Sequence, residues 1–244
     1  MNTSNTASRE EIVRFNSMAE TWWDQTGPMW PLHRLNAIRL PFILDILQQA
    51  SLAAGPVEKP VEGLRILDIG CGAGLLSESM AALGATVTGV DPAERNIAVA
   101  RDHARSSGLS ITYLQGSVDT LELGQFDVVL NMEVVEHVEN IEHFMARCCD
   151  LTRDGGLHFL ATINRNLLSW LVAIFGAEHI LRWLPRGTHQ WRKFVKPIEA
   201  AGLLSAGNMD VIASRGVAVN PLNRAYTVTD FLGVNYMLAA RKRG

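Results

Sequence analysis

The chain predicts a doubly wound α/β fold on a mostly parallel sheet, and three observations point to it. Between Gly63 and Ile163, short β-branched, nearly all-apolar runs alternate with longer stretches of helical spacing, the mark of strand-helix-strand units whose strands are covered on both faces. The helical stretches stop at glycine, a common terminator. The first strand also runs straight into LDIGCGAG, Leu67 to Gly74, as strands do where an α/β sheet meets a cofactor.

In chain order, SREEIVRFNSMAETWW and LHRLNAIRLPFILDILQQA predict two helices separated by the turn-rich DQTGPMWP, and AAGPVEKPVEG (53–63) predicts a linker. RILDIG (65–70), ATVTGVD (85–91), ITYLQG (111–116), QFDVVLNM (125–132) and GLHFLATIN (156–164) predict five strands. LLSESMAALG, ERNIAVARDHARSSG and NIEHFMARCCDLTRDGG supply the helices between them. An apolar helix-like insertion (167–184) and the basic RWLPRGTHQWRKFVKP follow. MDVIASRGVAV and FLGVNYMLAA then complete a seven-stranded sheet as an antiparallel edge hairpin. The expectation is one domain over 1–244: N-terminal helices (1–52), a cofactor core (63–164), a lid or membrane-contact insertion (165–197) and edge strands (198–244).

With 244 residues, 48% hydrophobic and 19% charged, the chain can bury one large core. Its net charge of −3 lacks the basic excess of a nucleic-acid surface, so no nucleic acid is expected as a partner. Cys71, Cys148 and Cys149 form no CxxC pair and are odd in number, which fits a reducing cytosol. MNTSNTASREE has no apolar stretch of the secretory kind. The most apolar run, Leu167 to Leu184, is interrupted by Glu178, His179 and Arg182, so a membrane-spanning helix is not expected.

Gly70, Gly72 and Gly74 give a turn with no Cβ atoms to hold off a ligand. The third glycine of the dinucleotide pattern would stand at position 75, which is Leu75, and Asp68 precedes the loop. An acid there disfavours a pyrophosphate but accepts from an ammonium group. Asp91, ending the second strand, is placed to accept ribose hydroxyls, which implies an adenosine. It equally suits a capping box, D-P-A-E, with Pro92 at the first helical position and Glu94 three residues after Asp91. In NMEVVEHV, Glu133, Glu136 and His137 have i, i+3, i+4 spacing and share one face if a helix begins there. That group could hold a cation, take a proton, or form a solvated helix start.

LDIGCGAG, GVD and FDVVLNMEVVEH together resemble the class I S-adenosylmethionine-dependent methyltransferases. WWD (22–24), PLHRLNAIRL (31–40), GLLSESMAALGATVTGVD (74–91), INRNLLSWLVAIFGAEHILRWLPRGTH (163–189) and GVNYM (233–237) narrow the resemblance to the bacterial ubiquinone-biosynthesis O-methyltransferases. Ala73, where that family commonly has glycine, and Asn131, where cysteine is frequent, are departures that remove no needed group. The resemblance implies that Gly70, Asp91 and Met132 contact S-adenosylmethionine, with Met132 on the adenine side, and that Arg39 reaches in. A guanidinium suits the methionine carboxylate. Asp68 and Gly72 complete the expected cofactor set.

The substrates so implied are polyprenylated catechols or o-diphenols, 3-demethylubiquinol and 2-polyprenyl-6-hydroxyphenol, each methylated on a phenolic oxygen. Glu133, Glu136 and His137 are then the catalytic candidates. They serve as ligands of a divalent cation, Mg²⁺ first and Mn²⁺ or Zn²⁺ otherwise, or His137 serves alone as general base. The apolar insertion reads as a lid or groove, with an ordinary buried core helix as the alternative. Beside it Arg182, Arg186, Arg192, Lys193 and Lys196 occur without an acid, which suits peripheral attachment to anionic lipid on the inner face of the membrane. Other enzymes of the same pathway are expected partners. Three alternatives stay open: a class I methyltransferase acting on another small aromatic or lipid, a nicotinamide-dependent oxidoreductase, and a non-catalytic membrane-associated subunit.

Overall fold

The computed structural model describes residues 9–166, 191–220 and 223–244. The insertion expected at 167–184, with Arg182 and Arg186, lies outside the described residues. The helices are α1 (Arg9–Met18), α2 (Trp30–Gln49), α3 (Leu75–Ala82), α4 (Glu94–Ser106), α5 (Ile141–Asp150) and α6 (Pro197–Ala206). The strands are β1 (Arg65–Ile69), β2 (Thr86–Asp91), β3 (Thr112–Gln115), β4 (Phe126–Met132), β5 (Thr152–Ile163), β6 (Met209–Val219), β7 (Tyr226–Thr229) and β8 (Asn235–Lys242).

The strands form one sheet in the order β3-β2-β1-β4-β5-β8-β6-β7. It is parallel from β3 to β5 and antiparallel from β8 onward. Alternation sends successive side chains to opposite layers. Ile66, Val128, Phe159 and Met237 pack with Ile43, Leu47 and Met80 from α2 and α3. Leu67, Val129, Leu160 and Leu238 pack with Phe144, Met145 and Leu204 from α5 and α6. Chain order reverses between β1 and β4, so their carboxyl ends frame the crevice where such sheets bind ligands.

Three expectations change. The sheet has eight described strands rather than seven, because Tyr226–Thr229 adds an edge. The C-terminal pair is antiparallel as expected but does not form the edge: β8 lies between β5 and β6. The reason is burial. Tyr236 to Ala240 are almost fully buried, whereas Asp210, Val211 and Ile212 of β6 are exposed, so the strand with the buried middle takes the interior place. Finally, no α-helix starts at Glu133. A short 3-10 turn, Val135–His137, stands there, and TRDGG after α5 belongs to β5.

His158 lies in the middle of β5, fully buried, and neither ring nitrogen has a hydrogen-bond partner among the described residues. Burial, with the nearby Lys242 charge, lowers its pKa to about 3. The unfolded chain takes up this proton near pH 6.5 and the folded chain does not, so stability falls as pH drops below that point. Between pH 7.5 and 5 the loss is about 2 kcal/mol. Asp68 and Asp91 act in the opposite sense, being raised in the folded state to about 7 and about 6. Comparing urea midpoints of the wild type and His158→Leu at the two pH values isolates the histidine: the variant is expected to lack that ~2 kcal/mol decline.

Candidate active site

β1 ends in a loop that only glycine can build. Gly70, Gly72 and Gly74 have φ of 66°, 55° and 89°, the left-handed region that costs other residues about 1 kcal/mol or more. The space their missing Cβ atoms leave is filled by protein: such atoms would fall 2.5 Å from Val134, 2.2 Å from the Trp22 ring and 2.2 Å from the Tyr113 hydroxyl. The N-terminal segment thus caps the loop. Trp22 packs on Gly72. Trp23 donates from Nε1 to the Ala73 carbonyl at 3.0 Å and stacks on His103, 3.4 Å between ring centroids. His103 in turn meets Glu78 at 2.8 Å.

Two carboxylates are buried behind this loop. Asp68 accepts from the Ser77 hydroxyl at 2.6 Å, and burial followed by the charge of Asp91 pushes its pKa up to about 7 against the opposing pull of Ser77 and Arg39. Asp91 accepts from the backbone N–H of Gly72 at 3.0 Å and of Ala93 at 2.8 Å, and from Asn96. Burial still raises it to about 6. The alternative role of Asp91 in a capping box is not seen: α4 is capped at Ala93, without a side-chain bond. Asp91 instead ties the end of β2 to the glycine loop. Asp68, Gly70, Gly72 and Asp91 are therefore together.

The acidic cluster is arranged differently from the prediction. Glu133 follows Met132, the last residue of β4, with φ of +58°, a conformation seldom adopted by a residue with a side chain. Its carboxylate receives NH2 of Arg39 and, at 2.9 Å, Nδ2 of Asn235. Arg39 is buried, reaches in from α2 as expected, and keeps Nε without a partner among the described residues. Glu136 accepts from the Thr162 hydroxyl at 2.8 Å. Burial and the neighbouring charge of Glu133, to which it is also hydrogen-bonded, push its pKa well above the usual carboxylate range.

His137 turns elsewhere: Nδ1 lies 3.4 Å from Glu11, and its ring meets the Phe15 ring edge-on. The three-donor set is therefore not assembled, and among the described residues no group of three or more His, Cys, Asp or Glu could hold a metal. The physical reason is the left-handed Glu133 followed by a 3-10 turn, which replaces the helical face that would have aligned the three. Two carboxylates do meet, and a hard cation such as Mg²⁺ is commonly held by one or two carboxylates with substrate oxygens.

Sequence reasoning missed Trp22, Asn235, Thr162 and Glu11. WWD and GVNYM contain the first two, yet nothing local says that an indole covers a glycine 50 positions on or that β8 lies beside β5. The buried indole Nε1 of Trp22, like Nε of Arg39, has no partner among the described residues. The cleft thus combines under-compensated carboxylates with donors that have nothing to donate to, which fits a ligand carrying both charges.

A methyltransferase-domain family model matches residues 67–160. The chain is 48% identical over 239 residues to a ubiquinone biosynthesis O-methyltransferase of Rhizobium leguminosarum bv. trifolii, covering 97% of this chain and 95% of that protein. A protein of the same name from Agrobacterium fabrum is 47% identical, covering 97% and 96%. Among solved structures, magnesium protoporphyrin IX methyltransferase from Synechocystis PCC 6803 with bound SAH matches with a TM-score of 0.68 at 19% identity, over 96% of this chain and 99% of that one. The PH0226 protein from Pyrococcus horikoshii matches at 0.61 and 14% identity, over 94% and 99%. These two likenesses concern the fold.

Substituting Gly72→Ala tests the cap. The new methyl group meets both a left-handed φ and the Trp22 ring, so the expected loss is about 2–3 kcal/mol by denaturant titration. Tryptophan emission should shift to the red as the indole is displaced, a shift absent when Gly72→Ala is made in a Trp22→Phe background.

Proposed function

We propose, for a chain that belongs to the ubiquinone biosynthesis O-methyltransferases within the class I S-adenosylmethionine-dependent methyltransferases, that the acidic glycine loop holds the methyl donor and the Glu133–Glu136 pair holds and deprotonates a polyprenylated catechol beside it. The carrying observation is the excess of buried carboxylate at the ends of β1, β2 and β4, only partly answered by Arg39. Asp68 is suited to the donor's ammonium group. Asp91, with Oδ2 bonded among the described residues to Gly72 alone, has an acceptor direction left for a ribose hydroxyl. The open donors on Trp22 and Arg39 suit a carboxylate. Met132, half-buried at the end of β4, is assigned to the adenine side. Bound there, S-adenosylmethionine supplies a methyl group made electrophilic by its sulfonium.

The protein's contribution is positioning first and deprotonation second. A phenol titrates near ~10, and a general base works best with a pKa near the operating pH, where it is still ionised yet basic enough to take the proton. Glu136, raised by burial and by Glu133, moves toward that value. Glu133 stays anchored by Arg39 and Asn235 and keeps the pair negative. Glu136 is therefore the assigned base. His137, held by Glu11, is the second reading. Glu133 and Glu136 are also the residues that would hold a divalent cation, which would stabilise a phenolate. Proton removal by Glu136 needs only the side chains.

With S-adenosylmethionine and a short-tail polyprenyl catechol, the wild type is expected to form the methyl ether, read by mass spectrometry. Glu136→Gln should lower kcat roughly a hundredfold, and His137→Gln less than about tenfold. The reverse ranking makes His137 the base, and no methyl ether from the wild type overturns the proposal. Turnover that survives a chelator leaves the phenolate to the carboxylates, whereas loss restored by Mg²⁺ assigns it to a cation on them.

The tail of such a substrate partitions into lipid, and we assign the membrane contact to the surface that carries Trp191, Arg192 and Lys193. Among the described residues no helix is long and apolar enough to cross a membrane. Asn166 is hydrogen-bonded to both Gly233 and Trp191, which brings the exposed Phe231 and Trp191 to one side, next to Arg192 and Lys193. Apolar rings beside cations suit an anionic bilayer surface. Binding to anionic vesicles is expected to weaken with salt, and by about 1 kcal/mol for each charge removed in Arg192→Ala and Lys193→Ala. Salt-insensitive or absent binding overturns the assignment.

A further inference from the structure

We propose that Asn235 reads the hydroxyl adjacent to the one that is methylated, so that the site accepts rings with two neighbouring hydroxyls and refuses those whose neighbour is a methoxyl or hydrogen. The inference rests on the phenol-methylating reading above and deepens it.

The orientation of the Asn235 amide is fixed by chemistry. Its contact at 2.9 Å is with Oε1 of Glu133, and a carboxylate only accepts, so the NH₂ end must face it. The flipped amide would set oxygen against oxygen. Oδ1 therefore points away from Glu133, and it is buried with no donor among the described residues. Leaving such an acceptor unmet is costly.

The position cannot relax to find another partner. Asn235 opens β8, in register with Ile163 of β5 and Val217 of β6, so the backbone is held from both sides. The alternation of β8 puts Asn235 on the face of Met237, the layer that receives α2 and Arg39. Glu133, gripped by Asn235 and by Arg39, lies against Glu136, which is assigned the reacting proton. An unmet acceptor beside that pair asks its ligand for a hydrogen, and a catechol's second hydroxyl supplies one. A methoxyl supplies none and sets a lone pair against Oδ1. After one transfer, the remaining hydroxyl of a catechol has a methoxyl neighbour, so the same ring is not methylated twice at that pair.

The test compares kcat/KM for three short-tail substrates: a prenyl catechol, its monomethyl ether and the matching monophenol. The wild type should prefer the catechol roughly ten- to hundredfold. Asn235→Leu, which also loosens Glu133, should lower the catechol value at least about tenfold more than it lowers the other two. All three substrates use Glu133, so the ratio separates the acceptor from the prop it gives that carboxylate. SAH affinity should be unchanged.

An equal loss on all three substrates would mean that Asn235 only steadies Glu133. A loss of SAH affinity would mean that Oδ1 serves the methyl donor. Either result overturns the inference. Should Asn235→Leu not fold, Asn235→Ser removes the amide with less bulk. A wild type indifferent among the three substrates refutes the proposal without any variant. Methylation of none of them sinks the parent reading instead.

Discussion

Negative charge that is buried faster than it is neutralised governs this molecule. The buried Asp68, Asp91 and Glu136 and the partly buried Glu133 all sit at or just beyond the carboxyl ends of β1, β2 and β4, where an ion kept from water costs several kcal/mol unless something answers it. The protein answers in part. Backbone N–H groups reach Asp91, a hydroxyl reaches each of Asp68 and Glu136, and Arg39 reaches Glu133. What remains shows as carboxyl groups that hold their protons to unusually high pH. A cleft in that state favours a cation and accepts a proton readily. Those are the two demands of methyl transfer from a sulfonium to a phenol.

Such a site needs walls that do not yield. Both layers of the sheet are packed with large apolar side chains, and β4 and β5, at the centre of the order, are buried along most of their length. The N-terminal segment adds a roof. Trp22 and Trp23 lock onto the glycine loop by packing, by a hydrogen bond and by stacking on His103. Arg39, on the following helix, then enters from the same side. The loop, its acids and their guanidinium are thus positioned by segments distant in the chain, and strain at Glu133 is tolerated because Arg39 and Asn235 hold it.

The parallel half of the fold was legible in the sequence because it is written in local pattern. RILDIG, ATVTGVD and QFDVVLNM are apolar enough to require cover on both faces, and glycine marks the turns. Asp68, Gly70, Gly72 and Asp91 follow from strand ends and so fell into place. The antiparallel end was only half legible: YTVT is too short and too polar to announce a strand, and the interior place of β8 follows from its burial relative to β6, a comparison between strands. Glu133, Glu136 and His137 misled because their spacing is helical while their backbone is not. A left-handed glutamate has no signature in composition. The same holds for Asn235, whose importance arises from a contact across 102 positions.

The roof over the glycine loop also makes the N-terminal segment a thermodynamic participant in whatever the loop binds. Trp22 covers Gly72, and Gly72 donates to Asp91, so docking of the segment and filling of the cleft act on the same few backbone groups. Two events that order one element share a coupling free energy, and it is reciprocal. The indole pair and any ligand of the loop then act on each other through those shared groups, equally in both directions, without any change in the chemistry below.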